Sequence, residues 1–286
     1  MKIAIYGSRR QHAALPQIAR FLDVLRRSGI GAAMHPKLYA HLMEIAPDVL
    51  DDVEEAQVPD GAELAVCLGG DGTFLRTALW VGSLGIPIVG VNTGHLGYLA
   101  ALPLDALPDL PQMIAGDRFR VEQRSLLHVT VPELPDYVGQ YALNEVSLAK
   151  DETASMITAH VSVDGTLLAD YRADGLIVAT STGSTAYNLS VGGPIVQPTL
   201  DVCVITPVAA HSLSMRPMVI DGHSEIRIVP GGRSRHVRLA VDGRSVALDM
   251  DTEIIISQAP FKLRVLQLAG HSFADTLRNK LHWGEQ

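Results

Sequence analysis

The run Gly69-Gly70-Asp71-Gly72-Thr73 sets three glycines around one carboxylate. Glycines leave backbone N–H groups bare, and a helix starting there would aim those groups at an anion. Gly69, Gly70, Gly72 and Thr73 are therefore candidate phosphate-binding residues. A carboxylate binds phosphate poorly without a metal, so Asp71 needs a different role, that of accepting the proton of a hydroxyl that attacks phosphorus. The run is neither Gly-x-x-x-x-Gly-Lys-Ser/Thr nor Gly-x-Gly-x-x-Gly.

A second stretch, residues 180–194, is dense in hydroxyls and glycines inside an apolar region. Small donors of this kind suit phosphates, ribose hydroxyls or an adenine packed on Ala186 and Tyr187, against the plainer alternative of a solvated loop. In the third, Tyr141-Ala142-Leu143-Asn144-Glu145-Val146, two polar groups stand side by side in an apolar run. Adjacent strand residues face opposite ways, so only a bulge or a strand end would bring both to one ligand; a half-exposed strand fits the pattern equally. The fourth, Tyr171-Arg172-Ala173-Asp174-Gly175, reads as a hairpin turn with a surface ion pair. The histidines show no metal-ligand spacing; His95, between glycines at a strand end, is the one to watch.

The elements that would carry these groups change character near residue 100. Before it, apolar runs (residues 3–6, 64–68 and 86–91) alternate with helical patterns, one with Leu15, Ile18, Ala19, Leu22 and Leu25 on one face. That is a parallel α/β sheet, in which ligands lie beyond the C-terminal ends of strands. Gly7-Ser8, residues 69–73 and residues 92–97 are all such ends, and Thr73 is placed to cap the helix after the glycine turn. Residues 40–60 are acidic and indistinct, readable as a helix and a loop, and residues 102–117, with three prolines, read as a short connecting helix. After it, period-two alternation over 157–163 ends at Asp164-Gly165, and Asp242-Gly243 marks another hairpin. With further strands near 225–229, 237–241, 253–257 and 262–266, residues 120–265 read as an all-β domain, followed by a helix over 273–283.

Composition narrows the function. A chain of 286 residues, 47% hydrophobic, can bury a sizeable core, and a net charge of −8 argues against nucleic acid or an anionic membrane as the main partner. Cys67 lies in an apolar strand, so it and Cys203 read as reduced core thiols. The chain opens on a strand pattern rather than a signal peptide, and no apolar run approaches the roughly 18 residues of a membrane helix. A cytoplasmic protein is expected.

Taken together, the glycine–aspartate run, Asn92-Thr93-Gly94-His95-Leu96-Gly97, Asn144-Glu145, Asp174-Gly175 and Thr182-Gly183-Ser184-Thr185-Ala186-Tyr187 resemble the NAD kinase family over almost the whole chain. Lipid kinases and 6-phosphofructokinases carry relatives of the first motif alone. The resemblance implies an N-terminal Rossmann-like α/β domain, residues 1–120 with 267–286 returning to it, and a C-terminal β-sandwich domain, residues 121–266. It implies a transferase that phosphorylates the adenosine ribose 2′-hydroxyl of NAD with ATP, giving NADP, in a site closed between the domains. It further implies Mg²⁺ as the metal with Mn²⁺ second, polyphosphate as a possible alternative donor, and a homodimer or homotetramer. Asp71 would take the proton and Gly72 would lie on the dinucleotide. Asn144 and Glu145 would bind NAD, and Asp174 its nicotinamide end. Thr182, Thr185, Ala186 and Tyr187, extended by Asn188, Leu189 and Ser190, would cradle adenosine; Arg76 and Arg172 would pair with phosphates. Ser181 stands where the family usually has proline, and Arg244 lies where members vary. Two other classes stay open: a lipid or sugar kinase sharing the glycine turn, and a dinucleotide sensor without turnover.

Overall fold

The computed structural model describes residues 1–8, 12–94, 97–100, 102–151, 156–270 and 272–282. His95, Leu96, His271 and Trp283 lie outside these. The chain divides into two compact units, residues 1–123 with 263–286, and residues 124–262.

The first unit is built on an eight-stranded sheet. Its order is Val53–Glu55, Gly31–Met34, Lys2–Gly7, Leu64–Leu68, Ile88–Asn92, Leu263–Leu268 and Phe119–Arg124, with Leu102–Pro103 also on Ile88–Asn92. The central strands pair in parallel, and Leu64–Leu68 is buried throughout, flanked by Lys2–Gly7 and Ile88–Asn92. Helix Leu15–Arg27 buries Ile18, Phe21, Leu22 and Leu25. The indistinct stretch holds helix Pro36–Ile45 and the short strand Val53–Glu55, and the terminal helix spans Phe273–Leu281. One placement differs from expectation. The strand foreseen at 262–266 belongs here, as Leu263–Leu268, with Val265 opposite Ile88. Its alternating apolar side chains suit either sheet, so only pairing decides.

The second unit has two six-stranded antiparallel sheets. One apolar cluster takes residues from both, among them Val129, Ala159 and Ile256 from one and Leu148, Val178 and Leu239 from the other. This is a sandwich core. Alternation along Ile157–Val163 buries Ile157, Ala159 and Val161 and exposes His160. Both Asp-Gly pairs turn with positive φ at both residues, Asp164 (49°) and Gly165 (76°), Asp242 (46°) and Gly243 (76°), the pattern of a type I′ hairpin. No helix among the described residues is long and apolar enough to cross a membrane.

Candidate active site

The strand Leu64–Leu68 ends on Gly69, whose φ of +153° disfavours any other residue. A Cβ there would lie 2.4 Å from Thr73 Oγ1. Helix Asp71–Val81 begins at once, capped by the backbone of Gly70 with no side-chain bond. Thr73 is thus a first-turn residue locked against Gly69, and not the cap expected from its position in the sequence; its carbonyl accepts the Thr77 hydroxyl at 2.9 Å. Gly70 and Gly72 differ from Gly69. A Cβ on either meets nothing within 4 Å, and neither has a positive φ. The fold does not require glycine at these two positions.

Both open onto a cavity of about 590 Å³ lined by Tyr6, Gly7, Ser8, Lys37, Gly70, Gly72, Thr73 and Arg76. Two strand ends and the first turns of two helices meet there, as a parallel sheet dictates. Two cations, a threonine and the amides of a helix start give it the chemistry of an anion site. Lys37 escaped the sequence reading. Its signal was a lysine in the first turn of a helix, the end where the dipole disfavours positive charge.

Asp71 faces a different neighbour. Its Oδ2 accepts the Tyr98 N–H at 2.9 Å, and its Oδ1 accepts those of Leu99 at 2.9 Å and Ala100 at 3.3 Å. Gly97 makes this approach feasible, since a Cβ there would sit 2.0 Å from Asp71 Oδ1. Among the described residues Oδ2 accepts one bond, which leaves it a lone pair for a further donor.

In the second unit the chain leaves one sheet at Ala142 and enters the other at Glu145. Asn144 and Glu145 therefore stand at a strand end, the arrangement that allows both side chains to serve one ligand. Their backbone is held by Asp242, whose carboxylate accepts the N–H groups of Leu143, Asn144 and Glu145 at 2.8, 2.8 and 3.2 Å. The Oε2 of Glu145 is covered yet has no hydrogen-bond partner among the described residues. Burial first, then the neighbouring Asp242 carboxylate, push the Glu145 carboxyl up to about 7, against the pull of the Tyr187 N–H. The buried Asp242 carboxyl is itself raised by desolvation, which its three amide bonds oppose.

The hydroxyl-rich stretch is not a solvated loop. Thr180, Ser181, Thr182, Ser184 and Asn188 are all buried. The Thr180 hydroxyl donates to the Leu143 carbonyl at 2.6 Å, and Ser181 donates to that of Leu200. Ser184 donates to the Val196 carbonyl and accepts its N–H. The Asn188 side chain donates to the carbonyls of Ser184 and Pro194 and accepts the Thr206 hydroxyl. Most donors read as ligand-facing thus hold the loop to its own domain. The Asn188 side chain is fully engaged inside, and Thr182 is buried beside Arg124, whose Nη1 lies 3.5 Å from its hydroxyl. What the loop presents outward is Thr185, Ala186, Tyr187, Leu189 and Ser190, with Tyr187 and Ser190 exposed.

Asp174 is not in a hairpin. The strands on either side of it, Thr166–Ala173 and Gly175–Thr180, belong to different sheets, so the chain crosses from one to the other there. Lys150 at 2.9 Å, with His211 at 3.9 Å, holds the Asp174 carboxyl below the usual range. Arg172 is exposed on the strand before it. Arg244 bonds the carbonyls of Val241 and Tyr141. Burial pushes both free thiols, Cys67 and Cys203, up to about 12, as suits inert core residues.

Two family models match the chain, the ATP-NAD kinase N-terminal domain over residues 22–118 and the ATP-NAD kinase C-terminal domain over residues 143–268. They define a kinase, a transferase of phosphoryl groups. The chain belongs to the NAD kinase family and is an enzyme of that kind. It is 41% identical to the NAD kinase of Porphyromonas gingivalis, across 99% of this chain and 98% of that protein. It is 39% identical to that of Christiangramia forsetii, across 100% and 99%. Among solved structures, the NAD kinase of Archaeoglobus fulgidus in complex with ATP matches with a TM-score of 0.73 at 26% identity, across 99% of this chain and 98% of that one. The fold also matches yeast NADH kinase complexed with NADH, TM-score 0.87 at 24% identity, across 100% and 89%.

Proposed function

We propose that this enzyme moves the γ-phosphoryl group of ATP to the 2′-hydroxyl of the adenosine ribose of NAD, and that Asp71 takes the proton. The observation that carries this is the pair Gly70 and Gly72, glycines without a reason in the fold, at the mouth of a cavity holding Lys37 and Arg76. A side chain at either would stand where phosphate oxygens approach the amides. ATP as donor accords with the Archaeoglobus relative, described in complex with ATP.

In this reading the 2′-oxygen attacks phosphorus, the O2′–P bond forms, the bond to the β-bridging oxygen breaks, and ADP leaves. The free lone pair on Asp71 Oδ2 receives the hydroxyl proton. Among the described residues no three His, Cys, Asp or Glu side chains group as a metal site. The divalent cation is taken to arrive on the triphosphate, as part of the donor substrate, with Mg²⁺ first and Mn²⁺ second. Lys37 and Arg76 balance the remaining phosphate charge.

NAD falls to the second unit. The covered Oε2 of Glu145, without a partner among the described residues, is an acceptor awaiting a donor, and a ribose hydroxyl supplies one. Asn144 stands beside it, Thr185, Ala186 and Tyr187 offer an edge for adenosine, and Asp174 is assigned to the nicotinamide end. The working form is taken to be a homodimer or homotetramer. The reaction decides the reading: purified enzyme with NAD, ATP and Mg²⁺ should form NADP. Turnover of diacylglycerol or fructose 6-phosphate instead, or NAD binding with no turnover, would replace it.

A further inference from the structure

The hairpin turn at Asp242-Gly243 does more than reverse a strand. Its Asp242 N–H donates to the Glu145 carbonyl at 3.0 Å, while the Asp242 carboxylate accepts the N–H groups of Leu143, Asn144 and Glu145. Four bonds thus tie one turn to the three residues where the chain changes sheets. Those residues have no complete ladder of their own: Ala142 closes one strand and Glu145 opens the next. The Asp242 carboxylate takes up their N–H groups, while Thr180 holds two of their carbonyls, its hydroxyl on Leu143 and its N–H on Asn144. Keeping it there costs desolvation and brings a second negative charge near Glu145, which stability alone would not favour.

We propose that Asp242 is the positioning residue of the dinucleotide site: it fixes the backbone of Asn144 and Glu145 so that both side chains meet the ribose. This rests on the assignment of Asn144 and Glu145 to NAD. Asp242 itself reaches ligand only through them. The local geometry separates the carboxylate from the turn. Asp242 has φ of 46°, a conformation that asparagine and glycine both accept. Asp242→Asn keeps the turn and one carbonyl-type oxygen, so it can retain the bonds to Asn144 and Glu145 while losing that to Leu143. Asp242→Gly keeps the turn and loses all three.

The test is steady-state NADP formation by the full chain and both variants, varying NAD and ATP in turn, beside calorimetric NAD binding and thermal melting. The expected order of KM for NAD is wild type below Asp242→Asn below Asp242→Gly, with about a ten-fold rise or more for the glycine variant and KM for ATP within about two-fold. Partial recovery by asparagine is the signature of positioning. Unchanged KM for NAD in both variants overturns the proposal, and so does a uniform fall in kcat with both KM values intact, which is a structural loss only. If wild type forms no NADP, the functional reading fails by itself; equal NAD affinity across the three proteins then overturns the positioning role independently.

Discussion

The Leu99 N–H donates to Asp71 Oδ1 at 2.9 Å, joining the first turn of the glycine helix to a loop 28 residues further along the chain. The carboxylate proposed as the proton acceptor is therefore also a structural acceptor, and a substitution acts on both roles. Asp71→Asn places an amide N–H₂ against backbone donors and should lower stability by about 1–3 kcal/mol. NAD binding should persist, while kcat falls by roughly 10²–10⁴-fold. Melting, calorimetry and rate measured on one preparation separate the two effects. A near-wild-type rate would remove Asp71 from the chemistry.

The glycines of the turn should divide. Gly69→Ala forces a Cβ to 2.4 Å from Thr73 Oγ1 and should lower the melting temperature clearly. Gly72→Ala meets open space inside a helix and should stabilise by about 0.5–1 kcal/mol. Its turnover should nonetheless fall at least as far as that of Gly69→Ala. A fully active Gly72→Ala would mean that phosphate does not bind at this turn.

Lys37→Ala should raise KM for ATP several-fold and leave KM for NAD unchanged, and the difference should shrink with added salt as screening replaces the lost charge. Equal effects on both substrates would place Lys37 outside the donor cavity.

Glu145 links the site to pH. Its carboxyl stands at about 7 in the fold against 4.5 ordinarily, a raised value. Its contribution to stability is therefore complete below about pH 4.5 and is lost as pH rises through 7. Glu145→Gln should melt several degrees above wild type at pH 8 and close to it at pH 4.5, while weakening NAD binding. A variant parallel to wild type at every pH would contradict the covered setting of Glu145 Oε2 beside the Asp242 carboxylate.

Asn188 tests the inward-facing loop. Asn188→Ala removes bonds to Ser184, Pro194 and Thr206 and should cost about 2–4 kcal/mol, read by denaturant unfolding. Asn188→Asp, which sets a carboxylate oxygen against two carbonyls, should cost more. A stable Asn188→Ala with weakened NAD binding would instead return this side chain to the ligand.

Local chemistry was written in the sequence. An apolar run followed by Gly69-Gly70-Asp71-Gly72 can only be a strand, a tight turn and a helix start, because side-chain volume and φ freedom act within a few residues. The Asp-Gly hairpins and the buried alternation of Ile157–Val163 follow from the same short-range rules. The family motifs were equally legible. What needed the tertiary structure was the direction in which polar groups point and the partners they find at long range. Thr180, Ser184 and Asn188 read as donors to a ligand and turn inward, since their partners at Leu143, Val196 and Thr206 come from other segments. Asp71 meets a loop 27 to 29 residues away, and Asp242 clasps amides 97 to 99 residues before it. Strand Leu263–Leu268 joins the first sheet through pairing that its alternation does not specify. Each of these choices is settled by which buried donor must be satisfied once the chain is packed, and that is a property of the whole fold.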